Sequence, residues 1–376
     1  MLAHSLCLSV VSLCLVSAAH HHVGCRDQNG KAVDWFYGYK LPILNDYCST
    51  CPYTDEGQAL LYLDVNQPKT WRFSNESITS KNQAIAHTMQ LAYDALAADK
   101  PRVYITYNDQ VPEGHGKDSE YRGHSKGVLF FDGKSGFWLI HSIPRFVHPT
   151  EYVYPSSGSR YGQSIICVTF NTDESLDEIA HQMYYMQTNM YHKENTLDFK
   201  SEWLKKAMGR GSPRSMPFTR RANLKSKGGK EFVHFAKHKK WNDDLYSHLI
   251  SPELDVSLYV ETWLNGASGD LPSTCVHGEE VHNLREVRPH AMPFMSSKDH
   301  SKWAIADEYA EPWVCIADIN RQHSQDDRAG GALCQKQADV WSVYANSAVS
   351  QETCDSQKTV PTNMAAKVPC TCDINL

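Results

Sequence analysis

Two short motifs of the chain could carry out phosphoryl transfer. Each is a His-Ser-Lys tripeptide, one from His124 to Lys126 and the other from His300 to Lys302. On a β-strand, residues i and i+2 point to the same face, so each motif would present an imidazole and an ammonium group together. A neutral histidine can attack phosphorus while a second, protonated histidine donates a proton to the leaving oxygen. We expect these four residues to be catalytic, with the lysines stabilising charge on the phosphate and without a metal or other cofactor.

Either pair taken alone would more simply be a solvated strand face, and it is their repetition that favours chemistry. Both motifs open a predicted hairpin, the first around the turn Asp132-Gly-Lys-Ser-Gly136 and the second leading to Trp313-Val-Cys-Ile. We therefore predict a mixed α/β fold of two duplicated halves with pseudo-two-fold symmetry, spanning residues 20–200 and 201–376. Further predicted elements are helices at 80–100, 175–191 (with Ser175 as N-cap) and 332–345, and strands at 102–106, 127–131, 137–140, 162–170, 256–263 and 313–319.

The first residues of the chain and its cysteines indicate the secretory route. Residues 1–19 form an apolar run that closes on small residues, which is typical of a cleavable signal peptide, and no later segment is apolar enough to span a membrane. Ten of the 12 cysteines follow it, and we favour disulfides over a zinc site because no tight His or Cys pair accompanies Cys48-x-x-Cys51 or Cys370-x-Cys372. Asn75-Glu-Ser77 predicts N-glycosylation at Asn75.

The charge of the chain is unevenly distributed. The net charge is -6, but residues 200–240 carry 13 Lys or Arg against two Glu, so this basic strip is +11 and the rest is -17. A basic strip of this kind is expected to follow a phosphodiester backbone, and within it we predict that His234 and Lys237 contact or position the substrate. After signal removal 18 His remain, and protonation of all of them would move the charge from -6 to +12 as an upper bound. We therefore predict activity near pH 5 rather than pH 7.

These residues resemble the deoxyribonuclease II family over nearly the whole mature chain. The matching motifs are Val33-Asp-Trp-Phe36, Tyr39-Lys-Leu-Pro42, Gly123-His-Ser-Lys-Gly-Val128, Tyr161-Gly-Gln163, His234-Phe-Ala-Lys237, Asp244-Leu-Tyr246, Asp299-His-Ser-Lys-Trp303 and Asp318-Ile-Asn-Arg321. That family is similar in fold to the phospholipase D superfamily, in which each of two α/β halves supplies one His-x-Lys unit.

The resemblance implies metal-independent hydrolysis of double-stranded DNA at acid pH, leaving 3'-phosphate and 5'-hydroxyl ends. It places the catalytic groups at His124, Lys126, His300 and Lys302 and a phosphate-binding side chain at Asn320. It also pairs six cysteines in three disulfides and leaves Cys48, Cys51, Cys370 and Cys372 to pair among themselves. The implied pairs are Cys25 with Cys167, Cys275 with Cys354, and Cys315 with Cys334.

We therefore predict a lysosomal or secreted acid endonuclease that degrades DNA, including apoptotic or engulfed DNA. One alternative is a related phosphodiesterase acting on phospholipid or short nucleotides, and the basic strip argues against lipid. Another is a non-catalytic secreted DNA-binding protein, and the two intact His-Ser-Lys motifs argue against it. Neither the oligomeric state, monomer or homodimer, nor the identity of the attacking histidine follows from the sequence.

Overall fold

The computed structural model describes residues 22–44, 51–266, 269–276, 278–354 and 358–362. The predicted signal peptide at residues 1–19 lies outside these ranges, as do Cys48, Cys370 and Cys372. None of the helices in these ranges is long and apolar enough to cross a membrane.

Two large β-sheets with flanking helices form the fold. The elements of the first part of the chain are β1 Trp35–Lys40, β2 Leu60–Asp64, β3 Gln67–Phe73, α1 Ala84–Ala97, β4 Val103–Tyr107, β5 Gly127–Phe131, β6 Ser135–His141, β7 Gln163–Asn171, α2 Thr172–Met186, β8 Met190–Asn195 and α3 Glu202–Met208. The eight strands form one antiparallel sheet in the order β3-β2-β1-β7-β6-β5-β4-β8.

The second sheet follows from the rest of the chain. Its elements are β9 Thr219–Lys225, β10 Glu231–Lys237, α4 Ser251–Leu254, β11 Leu258–Glu261, β12 Thr274–Val276, β13 Glu279–Val287, β14 Phe294–Met295, β15 Trp303–Ala306, β16 Trp313–Ala317, α5 His323–Asp326, β17 Gly330–Lys336, α6 Ala338–Ala345, β18 Ala348–Glu352 and β19 Thr359–Pro361. The order is β19-β18-β13-β11-β15-β16-β17-β10-β9, with β12 and β14 paired to β13. The pair β11–β13 is parallel.

The two halves have equivalent topologies. The spatial order β1-β7-β6-β5-β4 in the first sheet matches β10-β17-β16-β15-β11 in the second. In both, a strand (β1 or β10) leads through a helix to a second strand (β4 or β11). A hairpin (β5–β6 or β15–β16) then leads to a fifth strand (β7 or β17), which is followed by a helix. The predicted mixed α/β fold with two duplicated halves is therefore confirmed.

The halves are held together by a shared core. Helix α2 of the first half packs on β9 and β10 of the second, and α6 of the second half packs on β3 of the first. One apolar cluster contains buried side chains from both sheets, including Tyr37, Trp138, Phe232 and Trp303. Because burial of large aromatic side chains dominates core energetics, the two sheets stabilise each other.

Most predicted elements are present, with shifted boundaries. Helix α2 begins at Thr172 and not at Ser175, which is buried inside the helix; the acidic residues Asp173 and Glu174 then occupy the first turn, where the helix dipole favours them. The predicted helix at 332–345 is wrong in its first part. Residues Gly330–Lys336 form β17, because pairing with β10 and β16 outweighs local helix propensity.

Three disulfides lie within the described residues, and they join the cysteines that the resemblance pairs. Cys25 bonds Cys167 of β7, and Cys315 bonds Cys334 between two directly paired strands. The third joins Cys275 to Cys354. Cys51 is disulfide-bonded as well.

Candidate active site

The two His-Ser-Lys motifs lie at equivalent positions in the two halves. Each immediately precedes its strand, β5 or β15, so the prediction that the tripeptides lie within strands is wrong by a few residues. The carbonyl of Lys126 accepts from the His141 amide, and the carbonyl of Lys302 accepts from the Ala317 amide. Both motifs therefore extend the hairpin pairing by one position, which fixes their backbones.

The two histidines are held by main-chain hydrogen bonds that cross between the halves. The His124 amide donates to the carbonyl of Ala329, just before β17, at 2.8 Å. The His300 amide donates to the carbonyl of Gly162, just before β7, at 2.9 Å. Each half thus positions the histidine of the other, and the fold brings His124, Lys126, His300 and Lys302 to one site.

The two lysines also affect each other across the site. Burial, followed by the charge of Lys126, lowers the pKa of Lys302 to about 7. The Lys302 ammonium donates to the carbonyl of His300 at 2.8 Å, whereas the Lys126 ammonium pairs with the Asp109 carboxylate at 2.5 Å. Two cations of this kind in a buried site favour an anionic ligand such as a phosphodiester.

His124 lies in a charged environment. Its Nδ1 donates to the carbonyl of Asp318 at 2.7 Å, and its Nε2 is 3.7 Å from Oδ2 of Asp109. Arg328 pairs with the same carboxylate oxygen at 3.3 Å. Burial and Lys126 lower the pKa of His124, while Asp109 raises it. Burial alone would raise the pKa of Asp109, but Lys126, His124 and Arg328 lower it below its usual value, so this carboxylate stays ionised at acid pH.

His300 lies in an aromatic environment. Its ring is stacked on Tyr161 with centroids 4.1 Å apart and an interplanar angle of 6°, and Trp263 packs on it at 4.6 Å. Burial, then the charges of Lys302 and Lys126, lower the pKa of His300 to about 2. The buried Lys40 ammonium fixes the loop below this stack by donating to the carbonyls of Ser159, at 2.7 Å, and Tyr161.

The unlike surroundings of the two histidines come from equivalent positions of the duplicated fold. Asp109 lies two residues after Tyr107, which pairs with the first residue of β5; Trp263 lies two residues after Glu261, which pairs with the first residue of β15. Arg328 and Tyr161 are equivalent as well. Arg328 precedes Ala329 and Tyr161 precedes Gly162, and the carbonyls of Ala329 and Gly162 accept from the amides of His124 and His300. The positions of Asp109, Arg328 and Trp263 beside the histidines were not predicted from the sequence, and the only signal for Tyr161 was its place in a family motif.

Three buried carboxyl groups lie around the site. Burial raises the pKa of Asp318 to about 7, and Oδ2 of this residue accepts from the Gly331 amide at 3.0 Å. Burial also raises the pKa of Asp299 and of Glu261. Asp299 binds the hydroxyl groups of Tyr39 and Ser301. All three groups favour the neutral form more strongly than exposed carboxyl groups do.

The structure does not bring His234 and Lys237 to a surface. His234 is fully buried, with Nδ1 3.0 Å from Gln182 and its ring against Trp138. Lys237 is fully buried too, and its ammonium donates to the carbonyls of Asp243, Gln325 and Asp326. Direct contact with substrate is therefore not supported for either residue, and positioning of the loop that precedes Arg328 is the role that suits Lys237.

Asn320 is close to the site and almost fully buried. It lies two residues after Asp318, whose carbonyl binds His124. Its Oδ1 atom is buried and has no hydrogen-bond partner among the described residues. Since buried polar atoms normally have partners, this side chain is available for a ligand.

The later part of the basic strip, from residue 219 onward, lies along an edge of the second sheet. Strand β9 is the edge strand, and it exposes Arg221 and Lys225 while Ala222 and Leu224 face inward. Its Thr219 end pairs with Lys237, next to Gly330 and the active site, and its Lys225 end lies about 20 Å away for a strand of this length. The strip therefore has a near end and a far end. Phe232 and Phe235 anchor it in the core.

One group of side chains in the described residues has the spacing of a metal site. It consists of Cys275, Glu280, His282 and Cys354. The two cysteines are joined in a disulfide, so their sulfur atoms are not thiolate ligands. This group is separate from the histidine and lysine cluster.

Comparison with known proteins gives a consistent result. A family model described as Deoxyribonuclease II matches residues 24–354. Plancitoxin-1 of Acanthaster planci is 37% identical over 354 residues, which cover 93% of this chain and 97% of that protein. Cell death-related nuclease 6 of Caenorhabditis elegans is 38% identical over 90% of each chain, and deoxyribonuclease-2-alpha of Sus scrofa is 33% identical over 89% of this chain and 91% of its own.

Proposed function

This chain belongs to the deoxyribonuclease II family and is a nuclease, and we propose that it is an acid endonuclease that hydrolyses double-stranded DNA by a two-histidine mechanism without a metal ion. The observation that carries the proposal is the convergence of His124 and His300, each fixed by a carbonyl of the opposite half. Lys126 and Lys302 lie with them and supply positive charge for the phosphate.

The proposed reaction has two steps. The neutral imidazole of one histidine attacks phosphorus and forms a P–N bond, the P–O5' bond breaks, and the 5' oxygen takes a proton from the imidazolium of the other histidine. The second histidine, now neutral, then removes a proton from water, the resulting hydroxide attacks phosphorus and the P–N bond breaks. The products are a 5'-hydroxyl and a 3'-phosphate.

The residues around the site support action at acid pH. With its pKa lowered to about 7, Lys302 gains its full charge only as the pH falls below neutrality. Asp318, with its pKa raised to about 7, loses its negative charge over the same range, while Asp109 stays ionised beside His124. The site therefore becomes more positive on acidification, which favours binding of a phosphodiester.

Bulk titration of histidines contributes less than the sequence suggested. Burial lowers the pKa of nine histidines, namely His22, His124, His141, His148, His181, His192, His234, His238 and His300. Each of these groups is harder to protonate than an exposed histidine, so the change in net charge stays below the upper bound of -6 to +12. We attribute the acid preference to the site itself.

We place the enzyme on the secretory route, in lysosomes or outside the cell, where its disulfides are stable. Two similar Caenorhabditis elegans proteins carry the name cell death-related nuclease, and on that basis we propose that DNA of dying or engulfed cells is among its substrates. Asn75, which is exposed just after β3, is the proposed glycosylation site. Asn320 is the proposed phosphate-binding side chain.

A plasmid cleavage assay at pH 5 in excess chelator tests the proposal. We expect cleavage by the wild-type protein and none by H124A or H300A, with H248A as a control because His248 is half-exposed and pairs with Asp243. The product ends should accept 5' phosphate from a polynucleotide kinase and resist 3' extension by a polymerase. An intact plasmid, or full cleavage by both histidine variants, would refute the proposal. Mapping the phosphohistidine after an alkaline denaturing quench identifies the attacking residue.

A further inference from the structure

A large aromatic side chain is exposed close to the active site. Tyr121 is 83% exposed and lies three residues before His124. Three residues of extended chain span at most about 10 Å, which is about three nucleotide steps of 3.4 Å along a DNA strand. Tyr121 is thus within reach of nucleotides that flank a phosphate held at His124.

The segment that carries Tyr121 is tied to the active site and to the basic strip. The Gly123 amide donates to the carbonyl of Gln187 at 3.1 Å. Nε of Arg328, the residue that pairs with Asp109, donates to the carbonyl of Arg122 at 3.1 Å. The Arg122 guanidinium reaches the carbonyl of Arg210 at 3.5 Å. The backbone that follows the exposed ring is therefore fixed at Arg122 and at Gly123.

A cationic side chain lies over this ring, and further cations lie on the neighbouring segments. The Lys239 ammonium is 5.9 Å from the Tyr121 ring centroid, and the Lys240 ammonium is 5.5 Å from that of Phe218. Arg122 and Arg210 complete a surface that we call the near rim, made of Tyr121, Arg122, Arg210, Lys239 and Lys240. Its residues Arg210, Lys239 and Lys240 belong to the basic strip, and Lys239 and Lys240 follow Lys237, which pairs with the Thr219 end of β9. Lysine is depleted at protein–protein interfaces, whereas aromatic rings among cations are typical of nucleic-acid surfaces.

We propose that the near rim holds the DNA strand next to the scissile phosphate, with the Tyr121 ring stacked on a base that opens from the duplex within three positions of it. Lys239 and Arg122 bind the flanking phosphates. The inference rests on the proposed function and extends it, because it identifies where the substrate lies and makes Tyr121 a binding residue. Stacking on an aromatic ring tolerates any base, so the rim adds affinity without a strict sequence preference.

Steady-state kinetics on a defined duplex at pH 5 test the inference. We expect Y121A to raise KM about tenfold with kcat unchanged, and Y121F to match the wild type, because the stacked ring and not the hydroxyl carries the contact. K239A should reduce the salt dependence of KM by about one phosphate contact, whereas K69A, at an exposed lysine on the edge strand β3 of the first sheet and outside the basic strip, should leave it unchanged.

The outcomes separate this inference from the function on which it rests. A wild-type protein that leaves the duplex uncut overturns the proposed function and the inference with it. If the wild type cuts and Y121A has the same KM, the inference alone is overturned. A fall in kcat without a rise in KM also overturns it, since Tyr121 would then act only by positioning His124. Thermal melting of each variant checks that the fold is intact.

Discussion

Replacement of Asp109 by asparagine is the most direct probe of the charged environment of His124. The substitution keeps the size and one acceptor oxygen of the side chain but removes a negative charge 3.7 Å from Nε2 of His124. In the proposed two-histidine mechanism, His124 would carry positive charge in the first transition state in either role. As proton donor it starts as an imidazolium, and as nucleophile it becomes cationic when the P–N bond forms.

The size of the effect follows from the distance. Two unit charges 3.7 Å apart interact by about 1 kcal/mol at the dielectric constant of water and about 4 kcal/mol at an effective value of 20. Because Lys126 and Arg328 share the carboxylate, we take the middle of this range, roughly 1.4 to 2.8 kcal/mol. This corresponds to a loss of about 10- to 100-fold in kcat at pH 5 for D109N.

Plasmid or oligonucleotide cleavage measured from about pH 3.5 to about pH 7, a range that includes the ordinary pKa of histidine, checks this prediction. The pH profile also reports on the role of His124. If His124 is the proton donor, the rate of D109N recovers toward lower pH; if it is the nucleophile, the loss is similar at every pH. D118N is the matched control, since Asp118 lies in the same loop but is half-exposed and pairs with Arg145 at the surface. A rate for D109N within about twofold of the wild type, or an equal loss in D118N, would refute the reasoning.

Three further results are expected. Because burial raises the folded-state pKa of Asp318 to about 7, its stabilising contribution is complete below the unfolded value near 3.9 and is lost as pH rises through 7. Unfolding at several pH values should show roughly 2 kcal/mol lost between pH 5 and 7, and D318N should flatten this slope. Y161A should lower kcat about tenfold by removing the ring stacked on His300, while Y161F keeps it, and equal kcat values in both would contradict the positioning role. Replacing Cys25 and Cys167 by alanine opens a link across 142 residues and should lower the free energy of unfolding by about 2–5 kcal/mol in denaturant titrations; an unchanged midpoint would argue against this contribution.

The parts of the fold that local sequence encodes were predictable. The hairpin of β5 and β6 has a strong turn sequence between two apolar runs, and the repetition of His-Ser-Lys before both hairpins indicated the duplication. Strand β1 was not predicted, because all six of its residues are buried and their pattern shows no alternation between polar and apolar. The basic strip was predicted from charge alone, which does not reveal that His234 and Lys237 point into the core.

The surroundings of His124 and His300 could not be predicted from the sequence for a different reason. Asp109 and Trp263 follow strands of different sheets, and Arg328 and Tyr161 precede two others. Each reaches its histidine only through strand pairings between distant segments, so no spacing along the chain indicates the contact. The pairing of the two motifs could be inferred, whereas the distinct chemistry around each could not.

Because the two halves belong to one polypeptide, their sequences need not be identical. In an enzyme built from two identical subunits, any substitution next to one histidine also appears next to the other. Here the positions occupied by Asp109 and Arg328 beside His124 are occupied by Trp263 and Tyr161 beside His300. In a single polypeptide one imidazole can therefore be adapted to carry charge and the other to remain neutral. Exact two-fold symmetry would give both imidazoles the same surroundings and so would not allow this difference.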